Sequence, residues 1–417
     1  MMNKIQYDII VIGAGAAGLM AAGTAAEEGA KVLLLDSMKR AGRKLLITGK
    51  GRCNITNNSE IQHFMKQIFP NPKFCRPMFS RFFVSETLSF FHHLNVPTKE
   101  ERGRRVFPES EKSMDLVTAL TKWNENKGVD IKYDRRVKDI IVENSELKGI
   151  TLDTGASFTS HKVILATGGR SYPATGSTGD GYRMALKIGH RVSVTLPALV
   201  PLETEGSMAE NMQGLSLKNV EATLWADNKK VRSKFGEMLF THYGLSGPII
   251  LDLSRDAVIA LRDNKFVEIS INLKPALDEQ KLQARLIREL DFNGRSKLKS
   301  MLKNLLPLTM IFPFCEYVQC DPDKYCNQVN AKERNRIQNG LREMRFKITG
   351  NTGWNDAIIT SGGVELKQIN PSTMESKLIP GLYFAGEILN LDAATGGYNL
   401  QIAWSSGHVA GKNAAIK

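Results

Sequence analysis

The chain opens with an apolar run, a glycine-rich turn, an alanine-rich segment and a second apolar run. Residues 7–12 (YDIIVI) are almost wholly apolar, which is typical of a strand covered on both faces of a parallel sheet. Residues 19–30 (LMAAGTAAEEGA) favour a helix that ends near Gly29. Residues 31–36 (KVLLLD) form the second apolar run, which ends in an acid. This order predicts a complete βαβ unit.

The turn inside this unit is GAGAAG, residues 13–18, and each of its glycines has its own physical role. Gly13 permits the tight turn, Gly15 lets the backbone approach a pyrophosphate, and Gly18 lets the helix pack closely on the strand. The N-terminus of the helix offers N–H groups and a positive dipole end to phosphates. Asp36 is placed to accept hydrogen bonds from a ribose. The unit therefore predicts dinucleotide binding, without separating NAD from FAD.

The pattern of apolar residues changes twice further along the chain. Residues 161–169 and 381–388 are apolar runs that predict further strands of the same sheet, the second leading into a final helix. Between them, residues 220–235 and 266–273 alternate as half-buried strands do. Leucines at helical spacing follow at 278–290 and 296–306. We expect an α/β, Rossmann-like nucleotide domain with an inserted β-rich, barrel-like domain and a small helical domain.

This pattern predicts three domains. The predicted boundaries are 1–190 and 351–417 for the nucleotide domain, 191–275 and 330–350 for the β-rich domain, and 276–329 for the helical domain. No second complete GxGxxG unit is visible, so no separate nicotinamide domain is expected.

Composition adds limits on location and on metal chemistry. Of 417 residues, 42% are hydrophobic and 24% charged, as in globular proteins. No apolar run reaches the roughly 18 residues that a membrane span needs. The N-terminus does not resemble a signal peptide, since Asp8 and glycines interrupt its apolar run. We therefore expect a cytoplasmic protein. The five cysteines form no CxxC pair, which favours reduced, buried thiols and no metal site.

The formal net charge of +13 is unevenly spread. Six basic residues, with no acid among them, lie between positions 39 and 52: Lys39, Arg40, Arg43, Lys44, Lys50 and Arg52. Because this cluster lies just downstream of the nucleotide turn, a phosphate-bearing cofactor accounts for part of the charge.

At this point the sequence resembles a known family. It is similar to two-dinucleotide-binding-domain flavoproteins, and more closely to the bacterial family labelled NAD(FAD)-utilising dehydrogenases, which includes aminoacetone oxidase and 3-dehydro-bile-acid reductase-like proteins. The resemblance covers essentially the whole chain. The segments that carry it are GAGAAG (13–18), TGKGRCNITN (48–57), GRRVFPESEKSMDLVTAL (103–120), ATGGRSYPATGSTGDGY (166–182), THYGLSGPIIL (241–251), SGGV (361–364) and AGEILNLDAATGGYNLQIAWSSG (385–407).

The resemblance implies non-covalent FAD and a set of residues that hold it. The pyrophosphate would lie against Gly13, Gly15, Ala16, Ala17 and Gly18. The adenosine half would lie near Asp36, Ser37, Arg43, Lys44 and the backbone of Val137. The chain would turn past the nucleotide at Ala166, Thr167 and Gly168. The ribityl chain and phosphates would be approached by Gly386, Glu387 and Asp392. Gly397, Tyr398, Asn399 and Leu400 would begin the last helix, with its N-terminus aimed at the flavin.

The segment LITGKGRCNITNN, residues 46–58, would follow the pyrophosphate towards the isoalloxazine ring in this family. The close-approach residues are Gly49 and Gly51, and the hydrogen-bond donors are Thr48, Arg52 and Asn54. Cys53 is expected to pack near the ring as a small side chain. The alternative, a redox-active Cys53, would need a low pKa and a partner thiol, for which only Cys75 could come close.

Candidates for catalysis come from two places. His242 and Tyr243 lie in the glycine-rich stretch 241–248 (THYGLSGP), and Tyr398 lies at the start of the last helix. His242 is equally well explained as a satisfied core or turn residue, and Tyr398 as a residue that stacks or caps the helix.

Three functions follow from these observations. The first is hydride transfer between FAD and a small organic substrate, an amine or an unsaturated or carbonyl compound, with NAD(P)H as a transient electron donor. The second is a tRNA-modifying flavoprotein, and the third is a non-catalytic FAD-binding protein. The expected partner is a small-molecule substrate, with neither nucleic acid nor membrane, and the sequence leaves the oligomeric state open.

Overall fold

A computed structural model describes residues 6–416, which form two compact units, residues 6–197 with 357–416 and residues 198–356. The helices are α1 Ala16–Glu27, α2 Arg43–Ile47, α3 Ile61–Met65, α4 Arg76–Phe79, α5 Val84–His93, α6 Ser113–Asn126, α7 Asp180–Lys187, α8 Pro248–Arg262, α9 Glu279–Phe292, α10 Leu298–Leu302, α11 Ile311–Tyr317, α12 Ala331–Arg342 and α13 Tyr398–Ala415. The strands are β1 Ile9–Ile12, β2 Val32–Leu35, β3 Thr56–Asn57, β4 Ile68–Phe69, β5 Thr98–Glu101, β6 Arg105–Pro108, β7 Asp130–Lys132, β8 Val137–Glu143, β9 Glu146–Leu152, β10 Ser157–Thr159, β11 Val163–Leu165, β12 Leu196–Ala198, β13 Leu202–Thr204, β14 Ser216–Ala226, β15 Lys229–Thr241, β16 Gly244–Ser246, β17 Val267–Asn272, β18 Met344–Asn351, β19 Ile359–Ser361, β20 Leu382–Phe384 and β21 Asp392–Ala393.

The first unit is built on a five-stranded parallel sheet with the strand order β20-β11-β1-β2-β7. Every residue of β1, β2, β11 and β20 is buried, as expected for strands covered on both faces. The predicted Rossmann-like architecture is therefore present. The chain order reverses between β1 and β11, and ligands of such sheets bind outside the carboxyl ends of the strands at that reversal.

Helix α1 packs closely against α13 because glycines on α13 leave no side chain between the two backbones. A Cβ atom at Gly407 would lie 2.4 Å from the carbonyl oxygen of Ala17, and one at Gly411 would lie 2.3 Å from that of Ala21. Real Cβ atoms do not approach so closely, so both positions require glycine. This packing ties the N-terminal βαβ unit to the last helix of the chain.

The second unit contains a closed antiparallel barrel with the strand order β13-β16-β15-β14-β17-β18. Helices α9–α12 and strands of this barrel contribute to one hydrophobic core, in which Leu282, Leu286, Phe240 and Ile271 are fully buried. The inserted β-rich region is thus a barrel with helices. The boundaries of three separate domains stay a prediction.

The described helices include none that is long and apolar enough to cross a membrane. All five cysteines are free and buried. Across residues 6–416, no group of three or more His, Cys, Asp or Glu side chains is arranged to hold a metal ion.

Candidate functional site

The carboxyl ends of β1 and β11 meet where the strand order reverses. Gly13, which follows β1, has a φ of 104°, and a Cβ atom there would lie 2.5 Å from the carbonyl oxygen of Ala166, which follows β11. The backbones that follow β1 and β11 are therefore in direct contact, with no side chain between them. A ligand-binding crevice is expected at this position in a doubly wound sheet.

The glycine turn after β1 leaves the N-terminus of α1 uncovered. No side chain caps α1, and a Cβ atom at Gly15 would meet nothing within 4 Å. A Cβ atom at Gly18 would lie 1.7 Å from the carbonyl oxygen of Gly13, so here glycine serves packing. The open face at Gly15 and the uncapped N–H groups of α1 suit a phosphate, as at other helix N-termini.

Asp36 ends the second strand and orients the loops around it. Its carboxylate accepts hydrogen bonds from the backbone N–H of Ala14 at 2.6 Å and of Met38 at 2.7 Å. Its backbone carbonyl accepts from the N–H of Arg135 at 2.9 Å, which brings the chain just before Val137 beside it. Burial raises the pKa of Asp36, while the two N–H groups and the charge of Arg43 oppose that shift. The carboxylate keeps lone pairs for a ribose hydroxyl.

Lys44 is engaged by the protein. Its ammonium donates to Glu387 and to Ser171, both at 2.9 Å. The other carboxylate oxygen of Glu387 accepts from the hydroxyl of Ser171 at 2.7 Å and from the N–H of Thr360 at 2.9 Å. This network joins α2 to the segment after β20, and sequence spacing contained no signal for it.

The segment between α2 and β3 has an unusual backbone. Gly49, Lys50, Gly51 and Cys53 all have φ between 56° and 84°. Lysine and cysteine rarely adopt this conformation, so the surrounding contacts must hold it. A Cβ atom at Gly49 would lie 3.0 Å from the N atom of Asn54, which shows how tightly the loop folds on itself.

Cys53 is fully buried in this loop. Burial raises the pKa of its thiol to about 12, although a hydrogen bond with Thr48 opposes the shift. Burial also raises the pKa of the Cys75 thiol. Because the thiolate is the reactive form and both thiols stay protonated at neutral pH, neither is expected to be reactive. The geometry favours the packing role of Cys53 over a redox role.

Arg52 points towards acids of the next hairpin. Its guanidinium pairs with Glu101 and lies 3.7 Å from Glu111. It also stacks on Phe107, at 4.2 Å from the ring centroid. Arg52 was predicted to donate to phosphate or flavin oxygens. Of its donors, Nε is buried and has no partner in the protein, so it is the one that stays available for such a contact.

Three buried polar atoms near this loop have no hydrogen-bond partner in the protein: Nε of Arg52, Oδ1 of Asn54 and Oδ1 of Asn57. Such atoms are rare in folded proteins because an unmade buried hydrogen bond is costly. Together with the open face at Gly15, they fit a polar cofactor that runs from the N-terminus of α1 to this loop. The residues present thus fit FAD, which the resemblance implies.

The N-terminus of α13 is enclosed by protein. Gly397 has a φ of 99°, and a Cβ atom there would lie 2.4 Å from the backbone of Thr56. The Asn399 side chain donates to the carbonyl of Ala393 and accepts from its N–H, both at 2.8 Å. Tyr398 is 6% exposed, and its ring packs edge-on against Phe64 at 4.7 Å. These contacts support a packing role for Tyr398.

A buried glutamine completes this enclosure. Gln401 accepts from the hydroxyl of Thr56 at 2.6 Å and donates to Thr87 at 2.8 Å and to Ser405 at 3.0 Å. Its side chain is fully satisfied and holds the loop against α13. A glutamine in an otherwise apolar helical stretch was the available signal.

His242 and Tyr243 lie in the second unit, on the turn that joins β15 to β16. Their rings meet edge-on at 4.6 Å. His242 is exposed and Tyr243 is half-buried, and burial raises the pKa of the Tyr243 phenol. The phenol is therefore protonated at neutral pH.

Comparison with known proteins supplies the family. Residues 7–413 match the family model described as HI0933-like protein Rossmann domain. The chain is 32% identical to the ribosomal RNA dihydrouridine synthase of Escherichia coli over 96% of each chain. It is 30% identical to the 3-dehydro-bile acid delta(4,6)-reductase of Clostridium scindens over 99% of each chain.

A solved structure supports the fold. The structure matches that of the 3-ketosteroid-delta4-(5alpha)-dehydrogenase of Rhodococcus jostii with a TM-score of 0.50, over 99% of this chain and 98% of that one. The sequences are 15% identical, so this match bears on the architecture.

Proposed function

The chain belongs to the HI0933-like family and is an FAD-dependent oxidoreductase; on that premise we propose that it reduces carbon–carbon double bonds conjugated to a carbonyl group. Both full-length relatives are named for chemistry at such a bond. Dihydrouridine is uridine with its C5–C6 bond saturated, a bond conjugated to the C4 carbonyl. The Δ4 and Δ6 bonds of a 3-dehydro bile acid are conjugated to its 3-oxo group.

The proposal is carried by polar features that suit FAD at the ends of β1 and β2 and in residues 54–57. The open face at Gly15 suits the pyrophosphate, the Asp36 carboxylate suits the adenosine ribose, and the polar atoms of Asn54 and Asn57 without a protein partner suit the flavin end. Reduced FAD held there would supply a hydride, which is a proton with two electrons. Overall, the β-carbon of the substrate gains the hydride and the α-carbon gains a proton, while NADH or NADPH replaces the two electrons.

Tyr243 is our candidate for the proton donor. A tyrosine phenol is protonated at neutral pH, and burial raises the pKa of Tyr243 further, so its proton is present for donation to the developing enolate. Tyr243→Phe should slow substrate reduction about 100-fold while flavin content and flavin reduction by NADPH stay unchanged. Tyr325→Phe, at an exposed tyrosine of the same unit, is the matched control.

The direct test is anaerobic. The purified protein is reduced with one equivalent of dithionite and then mixed with an uncharged cyclic enone. Return of the oxidised flavin absorption, with one saturated ketone formed per flavin, supports the proposal. A flavin that stays bleached with the enone and with uridine-containing RNA, and recovers only in oxygen, points to an oxidase and contradicts it.

Uridine in ribosomal RNA is our first candidate acceptor, because the first of these relatives is named for that product and the chain carries a net charge of +13. A small enone is the second, favoured by the name of the bile acid reductase. Dihydrouridine detected in RNA digests after incubation with the protein and NADPH would decide for the first.

A further inference from the structure

The hairpin formed by β5 and β6 ends in three arginines, which we call the arginine tip: Arg102, Arg104 and Arg105. All three side chains are exposed, and the turn is made by Gly103 and Arg104 with φ of 78° and 57°. Among the described residues, the Arg102 side chain makes no hydrogen bond or ion pair, while its backbone carbonyl accepts from Nε of Arg105 at 3.0 Å. Exposed arginines are common on solvated hairpins, so a binding role depends on where the tip lies.

The tip is fastened to the N-terminal end of α13. The Asn57 side-chain amide donates to the carbonyl of Gly103 in the tip and to the carbonyl of Gly396 before α13, both at 3.0 Å. The N–H of Asn58 donates to the carbonyl of Arg104 at 2.8 Å. One asparagine thus holds the arginines beside the helix end that the resemblance aims at the flavin.

Two acids of the same hairpin bind residues outside the arginine tip. Glu100 accepts from Asn58 at 2.8 Å, and Glu101 pairs with Arg52. Arg105 reaches Glu101 only at 4.0 Å. A guanidinium has five N–H donors, and the bonds within the protein use a minority of those at the tip.

The charge of the whole molecule points to the same unit. Residues 1–197 and 357–417 carry 33 lysines and arginines against 23 acids, whereas residues 198–356 carry 23 against 20. The excess is +10 in the first unit and +3 in the second, and together they equal the total of +13. The diphosphate of FAD offsets about two of these charges. The remaining excess suits an anion with several charges.

We propose that the arginine tip binds the phosphodiester backbone of an RNA whose uracil base is presented to the flavin. This inference rests on the proposed function, since the C5–C6 bond of uracil belongs to the class of bond proposed there. Phosphate contacts position a nucleic acid without reading its sequence, which is the role of exposed arginines beside a site. The reaction itself adds a hydride at C6 and a proton at C5, with NADPH as the reductant.

The test compares two triple variants of the holoprotein. In the first, Arg102, Arg104 and Arg105 are replaced by alanine; in the control, three exposed lysines elsewhere in the same unit, Lys73, Lys122 and Lys367, are replaced. Binding of a labelled oligouridylate of about 20 nucleotides is followed between about 50 and 200 mM KCl. The tip variant should bind at least about tenfold more weakly at low salt, with a salt slope reduced by about 2, and the control should bind much like the wild type.

Equal affinities of the tip and control variants, or no RNA binding by the wild type, would overturn the inference. Tip-dependent retention on phosphatidylserine vesicles without RNA binding would overturn it as well. Anaerobic enone reduction separates the two proposals, because the tip variant should keep the wild-type rate with this uncharged acceptor. If the wild type does not reduce the enone but its RNA affinity depends on the tip, the proposed reaction is wrong, whereas RNA binding by the arginine tip is supported.

Discussion

The N-termini of α1 and α13 both lack a side-chain cap, yet their surroundings differ. At α1, a Cβ atom at Gly15 would meet nothing within 4 Å, so the space beside the start of the helix is open. At α13, Gly397 touches the backbone of Thr56, and Asn399 and Gln401 are saturated with protein contacts. The α1 end is open to a ligand. The α13 end is a packed joint, by which we mean that its residues 397–401 hold together segments that are distant in the sequence.

This difference predicts that substitutions at the two ends fail in different ways. A change at the α13 end should cost folding stability, because protein backbone fills the space that a new side chain would need. A change at the α1 end should leave folding intact and cost only cofactor affinity. The following variants are arranged from the largest expected effect to the smallest.

Gly397→Ala should lower the free energy of unfolding by about 3 kcal/mol, since it combines a φ of 99° with a Cβ atom 2.4 Å from Thr56. Urea denaturation measures the loss. Gly128→Ala is the matched control, because Gly128 has a φ of 80° but open space around it, and it should lose only about 1 kcal/mol. Equal losses at the two glycines would show that α13 is not a packed joint.

Gly15→Val should weaken FAD binding about 100-fold, or about 2.7 kcal/mol. The φ of −83° at Gly15 accepts a branched residue, so the apoprotein should lose only a few tenths of a kcal/mol. Fluorescence titration with FAD gives the affinity, and thermal unfolding of the apoprotein gives the stability. Full flavin content in this variant would remove the pyrophosphate from the α1 end.

Glu387→Gln should destabilise the protein by about 2 kcal/mol, because it leaves the mostly buried ammonium of Lys44 without its carboxylate. The double variant Lys44→Met with Glu387→Leu removes both charges and should recover much of that loss. Denaturation midpoints of the three proteins measure the coupling. If the single variant were as stable as the wild type, the network would not contribute to folding stability.

His408 lies on α13, stacks on Phe82 and has a pKa lowered to about 4, mainly by burial. The folded state favours the neutral ring, so the stability that this ring contributes is full above about pH 6.5 and is lost as the pH falls towards 4. Between pH 6.5 and 5.5 the loss should be about 1 kcal/mol. His408→Phe keeps an aromatic ring and should remove that part of the pH dependence. An unchanged pH profile would exclude His408 as its source.

The two ends also differ in how far sequence could predict them. The α1 end is encoded within residues 7–36, which contain two apolar runs, three glycines of the turn and one acid. The two strands and the helix expected from this pattern are present in the structure. The α13 end is assembled from residues hundreds of positions apart, such as Thr56 with Gln401 and Asn57 with Gly396. Local patterns carry no record of such pairs, so these partners could be found only in the structure.

The placement of catalytic groups shows the same limit. His242 and Tyr243 stood out because titratable residues border a glycine-rich turn, and the structure shows that their rings touch. Their role in catalysis stays a prediction, because it depends on how substrate meets them. Tyr398 stood out for the same chemical reason, but its ring is packed against Phe64.

The most direct test of a cofactor stretched from the α1 end to the α13 end is a calorimetric titration of the apoprotein with FAD, FMN and NAD⁺. FAD alone combines the pyrophosphate and adenosine contacts at α1 and Asp36 with a flavin at the loop before β3. We expect one FAD bound per chain, with FMN at least about 100-fold weaker. Equal affinity for FMN, or uptake of NAD⁺ in place of FAD, would contradict the site as described.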